Sequence, residues 1–183
     1  MTNIERNADL VHMATYAPLF AHVDGWQWRP DLIWYDNLTT ARTASYYVQQ
    51  LYMLNRGTNV LPTTVALDGG KPSVNPVAKG EDGLFASAVV DSQKKEVIVK
   101  VINTKPEAVA TTINIAGLKS KNLPATADVI SLDCSNYDAE NMPSKPEVVS
   151  PAQSQAPVAA SKAAAAITAT IPAKTFQVYK VKI

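Results

Sequence analysis

The chain has 183 residues, of which 46% are hydrophobic and 18% are charged, and its formal net charge is +1. This composition is typical of a globular protein, and the near-neutral charge removes any electrostatic argument for binding nucleic acid or an anionic membrane surface. The single cysteine, Cys134, excludes an internal disulfide. No apolar run approaches the ~18 residues of a membrane span. The polar start MTNIERNADL lacks the apolar core of a signal peptide.

The aromatic residues are distributed unevenly along the chain. Nine of the thirteen precede Gly57, and only four follow it. A chain of this length can form one large domain or two small ones. The change in composition predicts a boundary at this point, with one unit over residues 1–57 and a second over residues 58–183.

The first predicted element is a helix that starts at the N-terminus. Thr2 and Glu5 have the spacing of a capping box, in which each side chain bonds the backbone N–H of the other residue. Apolar and small residues then recur on one helical face until Pro18 ends or kinks the helix. The residues on that face are Ile4, Ala8, Val11 and Thr15.

A strand and a second helix follow in the first unit. The β-rich run Leu32 to Tyr35 predicts a short buried strand, and residues 37–40 supply capping side chains for a helix over residues 41–56. Gly57 stands where a C-cap glycine belongs. The apolar side of this helix is predicted to carry Tyr47, Leu51 and Leu54. The order of helix, strand and helix indicates an α/β layer.

The second unit alternates with the period of a β-strand. In EVIVKVIN, three valines share one face and Ile98, Lys100 and Ile102 share the other. Six to eight such runs, separated by turns, predict an antiparallel, jelly-roll-like β-sandwich, so that the fold class is mainly β. The alanine- and proline-rich stretch over residues 143–166 is predicted to be an extended edge or a loop, because its prolines interrupt any long helix.

The segment GWQWRPDLIWYDN holds all three tryptophans and is the candidate functional segment. Sugar rings can pack on indole, and an arginine donates several hydrogen bonds to hydroxyls. The candidate substrate-binding residues are Trp26, Trp28, Arg29 and Asp31. Packing in a core or an interface is the alternative role. Active sites in barrels lie at the C-terminal ends of the strands, whereas this segment leads into the N-terminal end of the predicted strand.

Catalytic and metal-binding motifs are not evident. Asp31 and Asp36 border one short strand and would lie ~16 Å apart if the chain is extended, too far for a catalytic carboxylate pair. His12 and His22 have no cysteine or second histidine at metal-ligand spacing. No catalytic residue, metal or cofactor is therefore assigned to this chain.

The first unit also has more large apolar side chains than one strand and two helices can bury. Its residues ERNADLVHMATYAPLFAHVDGWQWRPDLIWYDN, followed by YYVQQLYMLNRGTNVLP, resemble the end of the catalytic barrel in glycoside hydrolase family 51 α-L-arabinofuranosidases. The second unit is similar to their C-terminal sandwich. The resemblance implies an (α/β)8 barrel with two catalytic glutamates that lie upstream of the matched segment. Glu5 would then be a helix-cap residue, and this chain would carry no catalytic glutamate.

The resemblance implies the remaining functional expectations. The parent enzyme would remove terminal arabinofuranosyl units from arabinan or arabinoxylan, and this chain would be a structural accessory region that contacts the rest of the barrel. One bacterial branch has a glutamine after the Trp-Arg pair where this chain has Pro30 and Asp31. Whether the parent enzyme is a homo-oligomer stays open. A periplasmic or secreted location of the parent is implied, although this chain shows no export signal.

Two other functions remain open at this stage. A carbohydrate-binding or purely structural β-sandwich would explain the tryptophans, although a binding platform is expected on the sandwich, which has few aromatic residues. An adhesive or immunoglobulin-like module fits the strand pattern but leaves residues 1–57 unexplained.

Overall fold

The computed structural model describes residues 1–29, 31–67, 69–77, 80–118, 123–161 and 163–183. The first part of the chain contains two helices and one small sheet. In chain order these elements are α1 (Thr2–Arg6), β1 (Phe20–His22), β2 (Ile33–Tyr35), β3 (Thr40–Arg42) and α2 (Ala44–Leu54). Neither helix is long and apolar enough to cross a bilayer, and the same holds throughout the described ranges.

The rest of the described chain forms an antiparallel β-sandwich, which confirms the predicted fold class. One sheet has six strands in the order β4-β5-β6-β12-β8-β9, and the other has three in the order β10-β11-β7. The strands are β4 (Asn59–Leu61), β5 (Leu84–Asp91), β6 (Glu96–Asn103), β7 (Val109–Ala116), β8 (Thr126–Asp133), β9 (Ala152–Pro157), β10 (Ala159–Ser161), β11 (Ala164–Ile171) and β12 (Thr175–Lys182). The ambiguous alanine- and proline-rich stretch supplies the edge strands β9 and β10, as predicted.

The six-stranded sheet is covered on both faces. Side chains Val97, Val99 and Val101 of β6 face the three-stranded sheet, where they join β7 and β11 residues in the main core. Ile98, on the opposite face, packs beneath α2. The predicted alternation of β6 is therefore confirmed, and it explains why nearly all of β6 is buried although sandwiches often expose the outer face of each sheet.

Helix α2 lies on that second face of the sheet. Tyr47, Leu51 and Tyr52 are buried there, and the Tyr52 ring stacks on Phe176 of β12 with centroids 5.2 Å apart. The predicted contact by Leu54 is wrong, since this side chain is 62% exposed. At 100° per residue, the buried face extends from Tyr47 through Leu51 to Tyr52. Leu54 lies just beyond the Tyr47 edge of that face and is the last residue of α2.

The helix also begins later than the sequence predicts. Thr43 is the N-cap residue, and its hydroxyl accepts from the backbone N–H of Tyr46 at 3.3 Å. The predicted capping residues 37–40 instead form the turn before β3 and its first residue. A threonine acts as an N-cap only where the preceding chain is extended, and here the pairing of β3 with β2 fixes that conformation.

The N-terminal helix is much shorter than predicted. It ends at Arg6, where the Asn7 side chain donates to the carbonyl of Asn3. Residues 11–19 carry no regular secondary structure, and Val11, which was predicted on the apolar face, is exposed. A short helix is stable in water only if its apolar face packs against something. No such surface faces these residues in the described part of the chain.

The predicted capping box is also wrong. Thr2 lies inside the helix, and the helix start has no side-chain cap. The carboxylate of Glu5 instead accepts from the Lys100 ammonium and the Ser87 hydroxyl, both at 2.5 Å. Glu5 therefore joins α1 to the middle of the six-stranded sheet and does not cap the helix.

The small sheet corrects the prediction of a single strand before α2. Strands β1 and β2 are parallel, and β3 pairs antiparallel with β2. Its buried face contains Ala21, Trp34 and Ala41, with Val23 and Met142 packed against them. The opposite face carries Phe20 and Tyr35, which remain exposed.

Gly57 is not the C-cap of α2, because that position belongs to Asn55. It lies where the chain crosses β5. A Cβ atom at Gly57 would lie 2.5 Å from the Val90 carbonyl oxygen and 2.7 Å from the Val89 Cβ. Close backbone approach, and not a left-handed conformation, therefore requires glycine here.

We expect Gly57→Ala to lower the free energy of unfolding by about 2 kcal/mol, because the added methyl group must displace strand backbone. Gly25→Ala is the matched control, since a Cβ at Gly25 meets nothing within 4 Å, and its effect should stay within about 0.5 kcal/mol. Urea denaturation of the three proteins measures both changes. Equal stability of the two variants would contradict the close approach of the chain at Gly57 to β5.

Candidate functional site

The tryptophan-rich loop connects β1 to β2. It leaves the C-terminal end of β1 at His22 and enters β2 at Ile33. The sequence placed this loop only before a strand, and therefore at the wrong rim of a barrel. Strand β1 precedes the loop and runs parallel to β2, so the loop begins at the C-terminal end of a parallel strand. In barrel enzymes, active sites lie at that end of the strands. Pro30 lies outside the described residues.

Arg29 organises the aromatic side chains of this loop. Its guanidinium carbon lies 4.5 Å from the centroid of Trp26 and 5.3 Å from that of Trp34. The two indoles meet edge to face at 5.9 Å. The Arg29 Nη1 also donates to Glu140 Oε2 at 3.3 Å. Cation–π contacts and an ion pair therefore hold the Arg29 head over the indoles.

The four sequence-predicted site residues do not form one group. Arg29 and Asp31 line a common cleft, whereas Trp26 packs on Arg29 from outside the cleft lining. Trp28 is 68% exposed and lies outside the cleft lining as well. Asp31 is the opposite case, because it is only 2% exposed.

The backbone at Asp31 is fixed by the start of α2. The Thr43 hydroxyl donates toward the carbonyls of Asp31 at 3.0 Å and Leu32 at 2.9 Å, and the Thr43 N–H donates to the Leu32 carbonyl. The Asp31 carboxylate is not satisfied in the same way. Its Oδ2 is buried and has no hydrogen-bond partner among the described residues. A buried carboxylate oxygen without a partner is costly and indicates an absent water, ion or ligand group.

The cleft beside Asp31, which we call the junction cleft, has a volume of about 430 Å³. One wall comes from the first part of the chain and contains Arg29, Asp31, Trp34 and the start of α2. The other wall comes from the segment between β8 and β9. That wall consists of Tyr137, Asp138, Ala139, Glu140, Asn141 and Val149.

Asn141 holds the second wall in place. Its Nδ2 donates to the carbonyls of Arg42 at 2.7 Å and Val149 at 2.6 Å, and its Oδ1 accepts from the Val149 N–H at 2.7 Å. The side chain is 2% exposed, so these bonds are shielded from water. The segment between β8 and β9 is thereby tied to β3 at the edge of the small sheet.

Tyr137 is fixed from the sandwich side. The Lys174 ammonium lies 5.2 Å from its ring centroid and forms an ion pair with Asp82 at 2.9 Å. Tyr137 is nevertheless 75% exposed, and it lines the cleft. Sequence reasoning missed this wall. The available signal was the long connection between two strands, since connections of this length are often functional.

The carboxylates of the loop region show no feature of a catalytic pair. Asp36 is a turn residue whose Oδ1 accepts from the backbone N–H groups of Leu38 and Thr39. Those donors lower the pKa of Asp36, whereas a general acid needs a raised pKa. Within the described ranges, no three His, Cys, Asp or Glu side chains are grouped to hold a metal ion.

Comparisons with known proteins agree with this architecture. A family model described as the α-L-arabinofuranosidase C-terminal domain matches residues 1–174. An extracellular exo-α-L-arabinofuranosidase from Streptomyces chartreusis is 45% identical over 84 residues, which are 46% of this chain and 10% of that protein. α-L-Arabinofuranosidase A of Aspergillus niger is 33% identical over 144 residues, which are 78% of this chain and 20% of that protein.

Solved structures show the same likeness. The arabinose-bound α-L-arabinofuranosidase MgGH51 is 28% identical, with a TM-score of 0.77 over 100% of this chain and 26% of its own length. The GH51 arabinofuranosidase of Xanthomonas axonopodis pv. citri shares the fold, with a TM-score of 0.66 at 18% identity over 99% of this chain and 33% of its own. The chain spans one tenth to one fifth of the two curated relatives above. It belongs to the α-L-arabinofuranosidase C-terminal domain family.

Proposed function

We propose that this chain is the C-terminal region of an α-L-arabinofuranosidase. Residues 1–57 complete an (α/β)8 catalytic barrel, and residues 58–183 form the sandwich that braces it. The observation that carries this proposal is the distribution of exposed apolar side chains. Eleven of the fifteen large apolar side chains that are exposed among the described residues precede Gly57, and a concentration of exposed apolar side chains is typical of a surface that another part of a protein covers.

Five of these eleven residues lie before β1 or in it. Leu10 is 75% exposed, Met13 83% and Phe20 56%. Residues 11–17 have no strand pairing in the described structure and lead into β1, while the carbonyls of Pro18 and Leu19 accept from the N–H groups of Leu32 and Ile33. Strand β1 is an edge strand of the small sheet. In a barrel, every strand pairs with a neighbour on each side. The rest of the parent's barrel would cover these side chains and pair with this segment, and the parallel β1–β2 pair supports that arrangement.

The chemistry would come from the parent and not from this chain. In the proposed enzyme, two glutamates outside this chain hydrolyse terminal arabinofuranosyl residues of arabinan or arabinoxylan by the retaining mechanism. The relatives' names support this substrate class, since they are arabinofuranosidases. This chain contributes a folded brace that keeps the barrel closed.

Trp28 is the residue of this chain that we propose for substrate contact in the intact enzyme. It lies in the loop that leaves the C-terminal end of β1, and 68% of it is exposed. Trp26 would support the loop by packing on Arg29. Arg29 and Asp31 would contribute from the junction cleft.

A carbohydrate-binding module without catalysis is the alternative function. The junction cleft supports it, because one of its walls belongs to the segment between two sandwich strands. The exposed apolar surface of residues 1–57 argues against it as the whole function, since a free-standing module has no need for that surface.

Reassembly with a truncated relative tests the proposal. We expect no turnover of an aryl α-L-arabinofuranoside by the 183-residue chain alone. Activity should appear when the chain is mixed with Aspergillus niger arabinofuranosidase A shortened by the matching region. Phe20→Asp should abolish this reassembly because it places a charge on the surface to be buried. Lys94→Asp, at a hairpin tip, is the control that should leave it intact. Turnover by the chain alone that Asp36→Asn abolishes would overturn the proposal.

The role of Trp28 has its own test in the reassembled enzyme. Trp28→Ala should raise KM about tenfold or more, because it removes a flat apolar surface for a sugar ring. Leu38→Ala is the matched control, since Leu38 is 92% exposed and lies after β2. Its kinetic constants should remain those of the wild type. An unchanged KM in Trp28→Ala would remove this residue from the substrate site.

A further inference from the structure

We propose that the junction cleft binds one sugar ring of a neutral oligosaccharide, with the Asp31 carboxylate accepting hydrogen bonds from ring hydroxyls. All of the lining residues of the cleft lie in this chain. The inference rests on the proposed substrate contact of Arg29 and Asp31, but binding is measured without turnover, so its failure would leave the proposed brace role and the reassembly test unaffected.

The first argument is the unsatisfied carboxylate. Asp31 lines the cleft at 2% exposure, and its Oδ2 has no partner among the described residues. Such an oxygen needs a hydrogen-bond donor or a cation to offset its lost hydration. The cleft volume of about 430 Å³ lies within the range of small-molecule sites and exceeds the space of a single water.

The second argument is the charge of the cleft, which distinguishes among anionic, cationic and neutral ligands. The cleft contains three acidic side chains, Asp31, Asp138 and Glu140, and one cation, Arg29, that already pairs with Glu140. An anionic ligand would meet a net negative surface. A metal ion would need several close carboxylates, and within the described chain these acids do not come together as a metal-binding group. A neutral ligand with many hydroxyl donors fits the remaining chemistry.

The third argument is the aromatic wall. Tyr137 is held by Lys174 at 5.2 Å and exposes its ring at the cleft mouth. An exposed aromatic ring can bind the apolar face of a sugar, and a tyrosine loses little side-chain entropy when it does so. Sugar rings present such a face on one side and hydroxyls at the rim. A ring lying on Tyr137 would direct its hydroxyls to Asp31 and to the free N–H groups of Arg29.

The experiment titrates the isotope-labelled chain with arabinotriose and xylotriose and follows its 15N–1H spectrum. We expect amide shifts at residues 43–45 and 137–141, with a Kd of about 1 mM. Tri-galacturonate, which is anionic, should bind about tenfold more weakly or not at all. The absence of shifts with either neutral trisaccharide up to about 20 mM would overturn the proposal. Shifts confined to other residues would also overturn it.

Variants assign the contacts. Asp31→Asn should weaken binding about tenfold, because an amide replaces an acceptor oxygen with a donor. Tyr137→Ala should weaken it similarly, and Tyr137→Phe should keep it within about twofold because the ring remains. Tyr137 is exposed, so both of its variants should fold. Leu38→Ala is the matched control and should leave the affinity unchanged, because Leu38 is 92% exposed and lies outside the cleft lining. Wild-type affinity in Tyr137→Ala would contradict the site.

Discussion

The buried ion pair between Glu5 and Lys100 is the interaction on which the rest of the structure depends. Lys100 projects from the centre of the six-stranded sheet, and its side chain has no exposed surface. The ammonium bonds Glu5 Oε1 at 2.5 Å and the Asn55 carbonyl at 2.8 Å, and it lies 5.3 Å from the Tyr52 ring centroid. Burial lowers the pKa of Lys100 and raises that of Tyr52. One charged group therefore bonds α1, the end of α2 and the sheet together.

This arrangement positions the proposed functional surfaces. With α1 and α2 fixed on the sheet, Thr43 at the start of α2 holds the backbone of Asp31, and Asn141 ties the second cleft wall to β3. The same anchoring leaves the outer face of the small sheet uncovered, where a barrel would complete it. The proposed bracing and the proposed sugar binding thus both depend on the contacts that join the two parts of the chain.

Features that depend on local periodicity could be predicted from the sequence. Contacts between residues that are distant in the chain could not. The alternation of EVIVKVIN determined both faces of β6, because strand geometry has a strict period of two. Glu5 was misread because its capping-box spacing is local, whereas its partners Ser87 and Lys100 are distant in sequence. Arg29 and Asp31 were identified as site candidates from their residue types. Tyr137, in the opposite wall, could not be paired with them because no local pattern joins residues so far apart.

A double-mutant cycle on Glu5 and Lys100 tests the central claim most directly. Glu5→Gln and Lys100→Met remove each charge while keeping similar volume, and urea denaturation gives the free energy of unfolding for both variants and for the pair. We expect each single variant to lose about 3 kcal/mol, because it leaves the partner charge buried and unpaired. The double variant should lose clearly less than the sum of the two, because it leaves no buried charge unpaired. Additive losses, or losses below about 0.5 kcal/mol, would show that the ion pair does not hold the two parts of the chain together.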